Sequence, residues 1–186
     1  MKSRKIVVLT LITVLLANGI VLAGSFYIHN DERYWWYRLH VGDNSSFDVA
    51  IPSDLSDWVG YLPLKKYLGH TVLEIASKNG DAVIQIGSKE GMQVAQVQQF
   101  VAGRWSAVLK DVTVLSNRII NTSNGLPAQF YALEATGPDG RKHMLRSVYF
   151  SKDDVVVYLV MFLPSAEYKD AIQQHWLRAV NESEWR

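Results

Sequence analysis

From Ile6 to Ile28 the sequence runs for 23 residues without a Lys, Arg, Asp or Glu, directly after the basic residues Lys2, Arg4 and Lys5. At ~1.5 Å per residue a helix of this length covers about 34 Å, enough for the ~30 Å hydrocarbon layer of a membrane. The same stretch fits a secretory signal, with a basic start, an apolar core from Ile6 to Leu16 and small residues for cleavage at Val21-Leu22-Ala23. Material beyond Ala23 favours retention. Phe26, Tyr27 and Ile28 prolong the apolar character, and Tyr34, Trp35, Trp36 and Tyr37 supply the amphipathic rings that favour the headgroup level. The competing reading makes those aromatics the first packed element of the folded domain.

This view divides the chain into a cytoplasmic stub and transmembrane signal anchor over 1–28, a juxtamembrane aromatic segment over 29–44, and an extracytoplasmic α+β domain over 45–186. The basic end stays in the cytoplasm by the positive-inside rule, with the domain in a periplasm or lumen. Tyr27, Tyr34, Trp35, Trp36 and Tyr37 are then the candidate membrane-interface and partner contacts.

The formal net charge is +1, and the three basic residues ahead of the run leave the remainder at −2. That argues against a nucleic-acid surface, which needs a basic stripe. The absence of cysteine removes disulfides, thiolate nucleophiles and thiolate metal sites. At 48% hydrophobic the chain carries enough apolar residues for a core.

Periodicity beyond residue 45 is mostly that of strands. In "SFDVAIP" Phe47, Val49 and Ile51 alternate with Asp48 and Ala50, predicting a half-buried strand stopped by Pro52. Residues 53–69 read as an irregular connection. "HTVLEIASKNGDAVIQIGS" predicts a hairpin about Asn79-Gly80. In the segment 89–111, Met92, Val94, Val97, Phe100 and Val101 share a helical face that Gly103 could end, although the β-branched residues leave strand pairing open. "VTVLSNRII", "PAQFYALEAT", "RKHMLRSVYF" and "VVVYLVMFL" follow at short spacing and predict an antiparallel meander. Val155 to Leu163 is apolar throughout, as in a central strand covered on both faces. Last, Tyr168, Ala171, Ile172, His175, Trp176, Ala179 and Val180 form the stripe of an amphipathic helix, capped by Ser165 and laid across the sheet.

The order from "FDVAIPSDLSDW" through "NGLPAQFYALEATGPDGRKHMLRSVYF" to "PSAEYKDAIQQHWLRAVNESEW" resembles the Mog1/PsbP-like superfamily over residues 46–185. Its terminal helix is followed by a short Ser-containing tail, here Ser183. The resemblance implies an α/β/α sandwich on an antiparallel sheet and a role in assembling or stabilising other complexes.

Catalytic signatures are missing from the sequence. His29, His40, His70, His143 and His175 show no close metal-binding spacing. His143, after Arg141 and Lys142, reads as part of a solvated basic edge, with an anion site as the sharper alternative. Asp153-Asp154, and Asp54 with Asp57, read as turn residues. There is no Gly-x-Ser-x-Gly elbow and no phosphate-cradling glycine motif. No catalytic residue, metal or cofactor is expected. Three functions stay in view: a membrane-anchored, non-catalytic accessory subunit or assembly factor of a membrane protein complex, a cleaved secreted module binding a ligand or polymer in a cleft near Trp58, Tyr61 and Trp105, and, least favoured, a hydrolase with a site assembled in space.

Overall fold

The computed structural model describes residues 25–30, 34–41, 45–52, 58–59, 65–67, 70–77, 83–167 and 170–186. Twelve strands lie among them: β1 Ser25–Asn30, β2 Tyr34–Val41, β3 Ser45–Pro52, β4 Trp58–Val59, β5 Lys65–Tyr67, β6 His70–Ser77, β7 Val83–Glu90, β8 Lys110–Asn121, β9 Pro127–Thr136, β10 Lys142–Lys152, β11 Val155–Pro164 and β12 Glu184–Trp185. Helix α1 spans Val94–Ser106 and α2 spans Asp170–Glu182, preceded by a 3-10 turn at Ser165–Glu167.

The predicted meander is present. Strands β8 to β11 pair in sequence, each antiparallel to the next, and β11 pairs on its other side with β7. Strands β6 and β7 form the predicted antiparallel pair; the Asn79-Gly80 turn lies outside the described residues. The large sheet has the order β4-β6-β7-β11-β10-β9-β8, with β5 also on β6. The connection expected to be irregular therefore contributes the two short strands β4 and β5.

Why β11 is apolar on both faces follows from what covers it. Val155, Val157, Leu159, Met161 and Leu163 pack toward β2, β3 and α2, whereas Val156, Tyr158 and Val160 pack toward α1. The period-2 alternation of a strand sends successive residues to different cores, and here both faces are dry. Helix α1 buries Val97 and Val101. It continues past Gly103, which was expected to end it; Gly103 accepts a hydrogen bond from Ser106 Oγ at 3.0 Å inside the last turn. Its first turn is held by the Gln93 N–H donating to Gln96 Oε1 at 2.8 Å, half of a capping box.

On the opposite face of the large sheet, α2 buries Trp176, Ala179 and Val180 as the stripe predicts. Ser165 does not cap this helix. It opens the 3-10 turn, and its hydroxyl donates to Glu134 Oε2 at 3.3 Å. Beyond α2, Ser183 is fully buried, donating to Ala179 O at 2.7 Å and accepting from Ala50 N at 3.4 Å. That turn delivers β12 to β3, where the Arg186 N–H donates to Ser46 O at 2.8 Å.

In a second sheet, β1-β2-β3-β12, the predicted strand over Phe47 to Ile51 gains neighbours that the sequence reading did not pair with it. Strand β1 takes up Ser25 to Ile28, the end of the charge-free run, and β2 takes up most of the segment read as juxtamembrane. Residues 1–24 lie outside the described residues. Among the described residues no helix is long and apolar enough to cross a membrane. Strand β3 is also more buried than its alternation suggests, because Asp48 and Ala50 are enclosed along with Phe47, Val49 and Ile51.

Candidate protein-binding edge

The aromatic group near the chain start is part of the core. Tyr34 and Tyr37 are 6% and 4% exposed. The Tyr34 ring meets the Arg178 guanidinium at 5.6 Å and the Trp36 ring edge-on at 5.9 Å. Rings enclosed in this way by the protein do not reach a lipid headgroup, which corrects the interfacial assignment for these two tyrosines. Tyr27 and Trp35 occupy β1 and β2, where Tyr27 is registered with Tyr37 and Trp35 with Ile51.

Of the proposed cleft residues Trp58, Tyr61 and Trp105, only Trp105 has described side-chain contacts. Trp105, in the last turn of α1, stacks on Phe162 of β11 with centroids 4.4 Å apart. Trp58 is on β4, and the order β4-β6-β7-β11 puts it three strand spacings from Phe162, roughly 14 Å at ~4.8 Å each. Tyr61 lies outside the described residues.

His143 also departs from expectation. It is 5% exposed, on an interior strand, with its ring parallel to Phe162 at 4.8 Å. Its Nδ1 is 3.0 Å from Arg141 O, and its Nε2 is 3.8 Å from Asp139 Oδ2. The turn 137–140 closes over the ring so tightly that a Cβ at Gly137 would fall 2.6 Å from both Cε1 and Nδ1. His143 is thus a packed core residue and not part of a solvated basic edge. Asp153 and Asp154 form the two-residue turn between β10 and β11, with Asp153 at φ 54°. They border an open depression of about 550 Å3 at the start of α1, together with Gly91, Gln93 and Ser151. No His lines it.

Among the described residues, no group of three or more His, Asp and Glu side chains converges as a metal site. Burial pushes the phenols of Tyr149 and Tyr158 upward, so both stay protonated near neutrality and are poor proton acceptors. Asp48, the most enclosed carboxylate among the described residues, is held by the Arg38 guanidinium through two bonds, of 2.7 and 2.8 Å, and by Arg186 at 3.3 Å. Such a clamp ties β2, β3 and the Arg186 end together.

The surface feature that stands out is β8. It ends the large sheet, and among the described residues no strand covers its outer side. Of its twelve residues all but Ser116 and Ile120 are exposed. Val112, Val114, Leu115 and Ile119 are 48%, 54%, 53% and 73% exposed, with Val108 just ahead at 48%. The register explains the pattern. Ile120 is opposite Ala128 and reaches the core, whereas Ile119, opposite Gln129, points to the other face beyond the cover of α1. Bulges between Lys110 and Thr113 and between Val114 and Ser116 turn Leu115 outward. Sequence alone read "VTVLSNRII" as an ordinary meander strand; the position at the sheet end is what exposes it. An edge of this length that no described strand covers presents a row of backbone donors and acceptors to another strand.

No family model matches the sequence, and no curated protein matches it. Solved structures do match. The solution structure of the cyanobacterial PsbP (CyanoP) from Synechocystis sp. PCC 6803 aligns with a TM-score of 0.53 at 7% identity, covering 88% of this chain and 93% of that one. A protein of unknown function, PA94 from Pseudomonas aeruginosa, aligns with a TM-score of 0.45 at 19% identity, covering 81% and 95%. The first of these, with the antiparallel sheet between α1 and α2 seen here, gives the chain a PsbP-like fold.

Proposed function

We propose that this chain is a non-catalytic accessory subunit or assembly factor of a membrane protein complex, tethered by its charge-free N-terminal run with the α+β domain on the extracytoplasmic side. The observation that carries the reading is β8, an exposed edge bearing Val112, Val114, Leu115 and Ile119, on a domain whose buried carboxylate Asp48 and buried histidine His143 are both tied into packing. A protein-binding surface accounts for that edge, and an enzyme site does not. The fold it shares with CyanoP is compatible with this role. The test is to pull the full chain out of native membranes after mild crosslinking. A stoichiometric membrane-protein partner supports the reading, and recovery of the chain without one overturns it.

A second reading is a cleaved, secreted binding module. The position of β1 at Ser25–Asn30, just past the Ala23 cleavage candidate, favours it, because cleavage there keeps every described strand of the small sheet. The mass of the mature N-terminus and carbonate extraction separate the two. A soluble product beginning at Gly24 selects the second; a membrane-retained chain with Lys2 to Lys5 intact selects the first.

A further inference from the structure

We infer that Asn124, in the turn between β8 and β9, is a covalent modification site: it loses its side-chain amide when the segment 183–186 lifts from the turn, and the product keeps that segment off. Asparagine is chemically labile, and the step needs no enzyme. The backbone nitrogen of Gly125 attacks Asn124 Cγ, the new C–N bond closes a succinimide, and the Cγ–Nδ2 bond breaks. The Gly125 amide proton passes through solvent to the departing nitrogen, which leaves as ammonia. Water then opens the ring at either carbonyl, giving aspartate or isoaspartate. A glycine after the asparagine favours the closure, because no Cβ obstructs the approach.

In the folded chain the reacting groups are held. The Gly125 N–H, which must give up its proton, donates to Thr122 O at 3.0 Å. Asn124 Oδ1 accepts from the Thr122 hydroxyl, and Nδ2 donates to Ser183 O at 3.1 Å. A backbone carbonyl only accepts, so the amide nitrogen is the end that faces Ser183. Alongside, Ser123 donates from its N–H to Asn181 Oδ1 at 3.1 Å and from its hydroxyl to Asn181 O at 3.4 Å. The turn is thus bonded to the end of α2 and to the segment carrying β12, where Trp185 meets Phe47 edge-on at 5.0 Å. Asn124 itself is exposed, so water reaches it once these bonds open. Conversion replaces the Nδ2 donor by a carboxylate oxygen, which sets acceptor against acceptor at Ser183 O, and the bond cannot re-form.

Full-length chain in mild detergent is aged at mildly alkaline pH, folded or in urea, and digested, and peptide masses report amide loss at Asn124. In the urea arm Asn79-Gly80, the same dipeptide, gives the unfolded rate within the same sample. Loss at Asn124 is expected to be at least about tenfold slower in the folded chain than in urea. Trp185→Ala, which loosens the segment without touching the turn, should speed the folded rate severalfold. The product is tested through Asn124→Asp. Hydrogen exchange of the Arg186 N–H, which donates to Ser46 O at 2.8 Å, should be severalfold faster in that variant than in the native chain. Asn117→Asp adds the same charge on exposed β8, can still accept from Gln129, and should exchange at the native rate. Unchanged circular dichroism spectra check that the variants are folded. Equal folded and unfolded rates at Asn124, a folded rate indifferent to Trp185→Ala, or Arg186 exchange no faster in Asn124→Asp than in Asn117→Asp overturns the proposal.

Discussion

Gly87 on β7 lies directly opposite Tyr158 on β11, and a Cβ at Gly87 would fall 2.5 Å from the Tyr158 ring carbon Cζ. Tyr158 is fully buried between this strand and α1, so its ring cannot swing aside into solvent. The glycine costs strand propensity and in return leaves room for the ring.

Gly87→Ala is expected to lower stability by about 1–3 kcal/mol, the range for overpacking a dense interior. Ala is otherwise the better strand residue, so a loss identifies the clash. In a Tyr158→Val background, which removes the ring, the same change should cost little or become favourable. Urea denaturation of the four proteins gives the coupling energy; a value near zero would mean that the ring is not what the glycine accommodates.

Trp176 is 2% exposed where α2 meets both sheets. Trp176→Ala is expected to cost about 3–5 kcal/mol. Among the described residues the indole Nε1 has no hydrogen-bond partner, so Trp176→Phe gives up area and packing but no hydrogen bond to them. It should fall well short of the alanine variant in a thermal melt. Equal losses would show an undetected polar contact.

Local order was legible in the sequence wherever one element decided its own pattern. The unbroken apolar run "VVVYLVMFL" and the helical stripe through Trp176 and Val180 pointed to β11 and α2, because apolar pattern and burial coincide there. The small sheet was not legible. Its closing pair, Phe47 with Trp185, joins residues at opposite ends of the domain, and no local period encodes that contact. For the same reason Tyr34 and Tyr37 matched an interfacial belt: amphipathic rings look alike in sequence whether a headgroup or Arg178 lies beside them. The exposure of Ile119 follows from strand order, which "VTVLSNRII" does not contain.

His143 offers a test that separates stacking from hydrogen bonding. Nδ1–H donates to Arg141 O at 3.0 Å while the ring lies flat on Phe162. His143→Phe keeps a stacked ring and should cost about 1 kcal/mol for the lost bond and the carbonyl left unpaired. His143→Ala also removes the stack and should cost about 2–4 kcal/mol. Chemical denaturation compares them, and a phenylalanine variant as damaged as the alanine one would place the energy in the turn over the ring.

Asp48 should make this domain sensitive to acid. Burial alone would raise its pKa, but the bonds and charge of Arg38, with Arg186 adding to them, outweigh burial and hold the carboxyl below its ordinary value. A carboxyl with a depressed folded-state pKa binds its proton more readily when the chain unfolds. Its contribution to stability is therefore complete above about pH 4, the unfolded value, and is lost as pH falls through the lower folded value. Asp48→Asn removes that dependence and breaks the charge pairing that ties β2, β3 and the Arg186 end together. The expected cost at neutral pH is about 1–3 kcal/mol. Between pH 4 and pH 2 the native protein should then lose more stability than Asp48→Asn, so that the two denaturation midpoints converge. Parallel midpoint curves across that interval would show that the carboxylate does not titrate with folding.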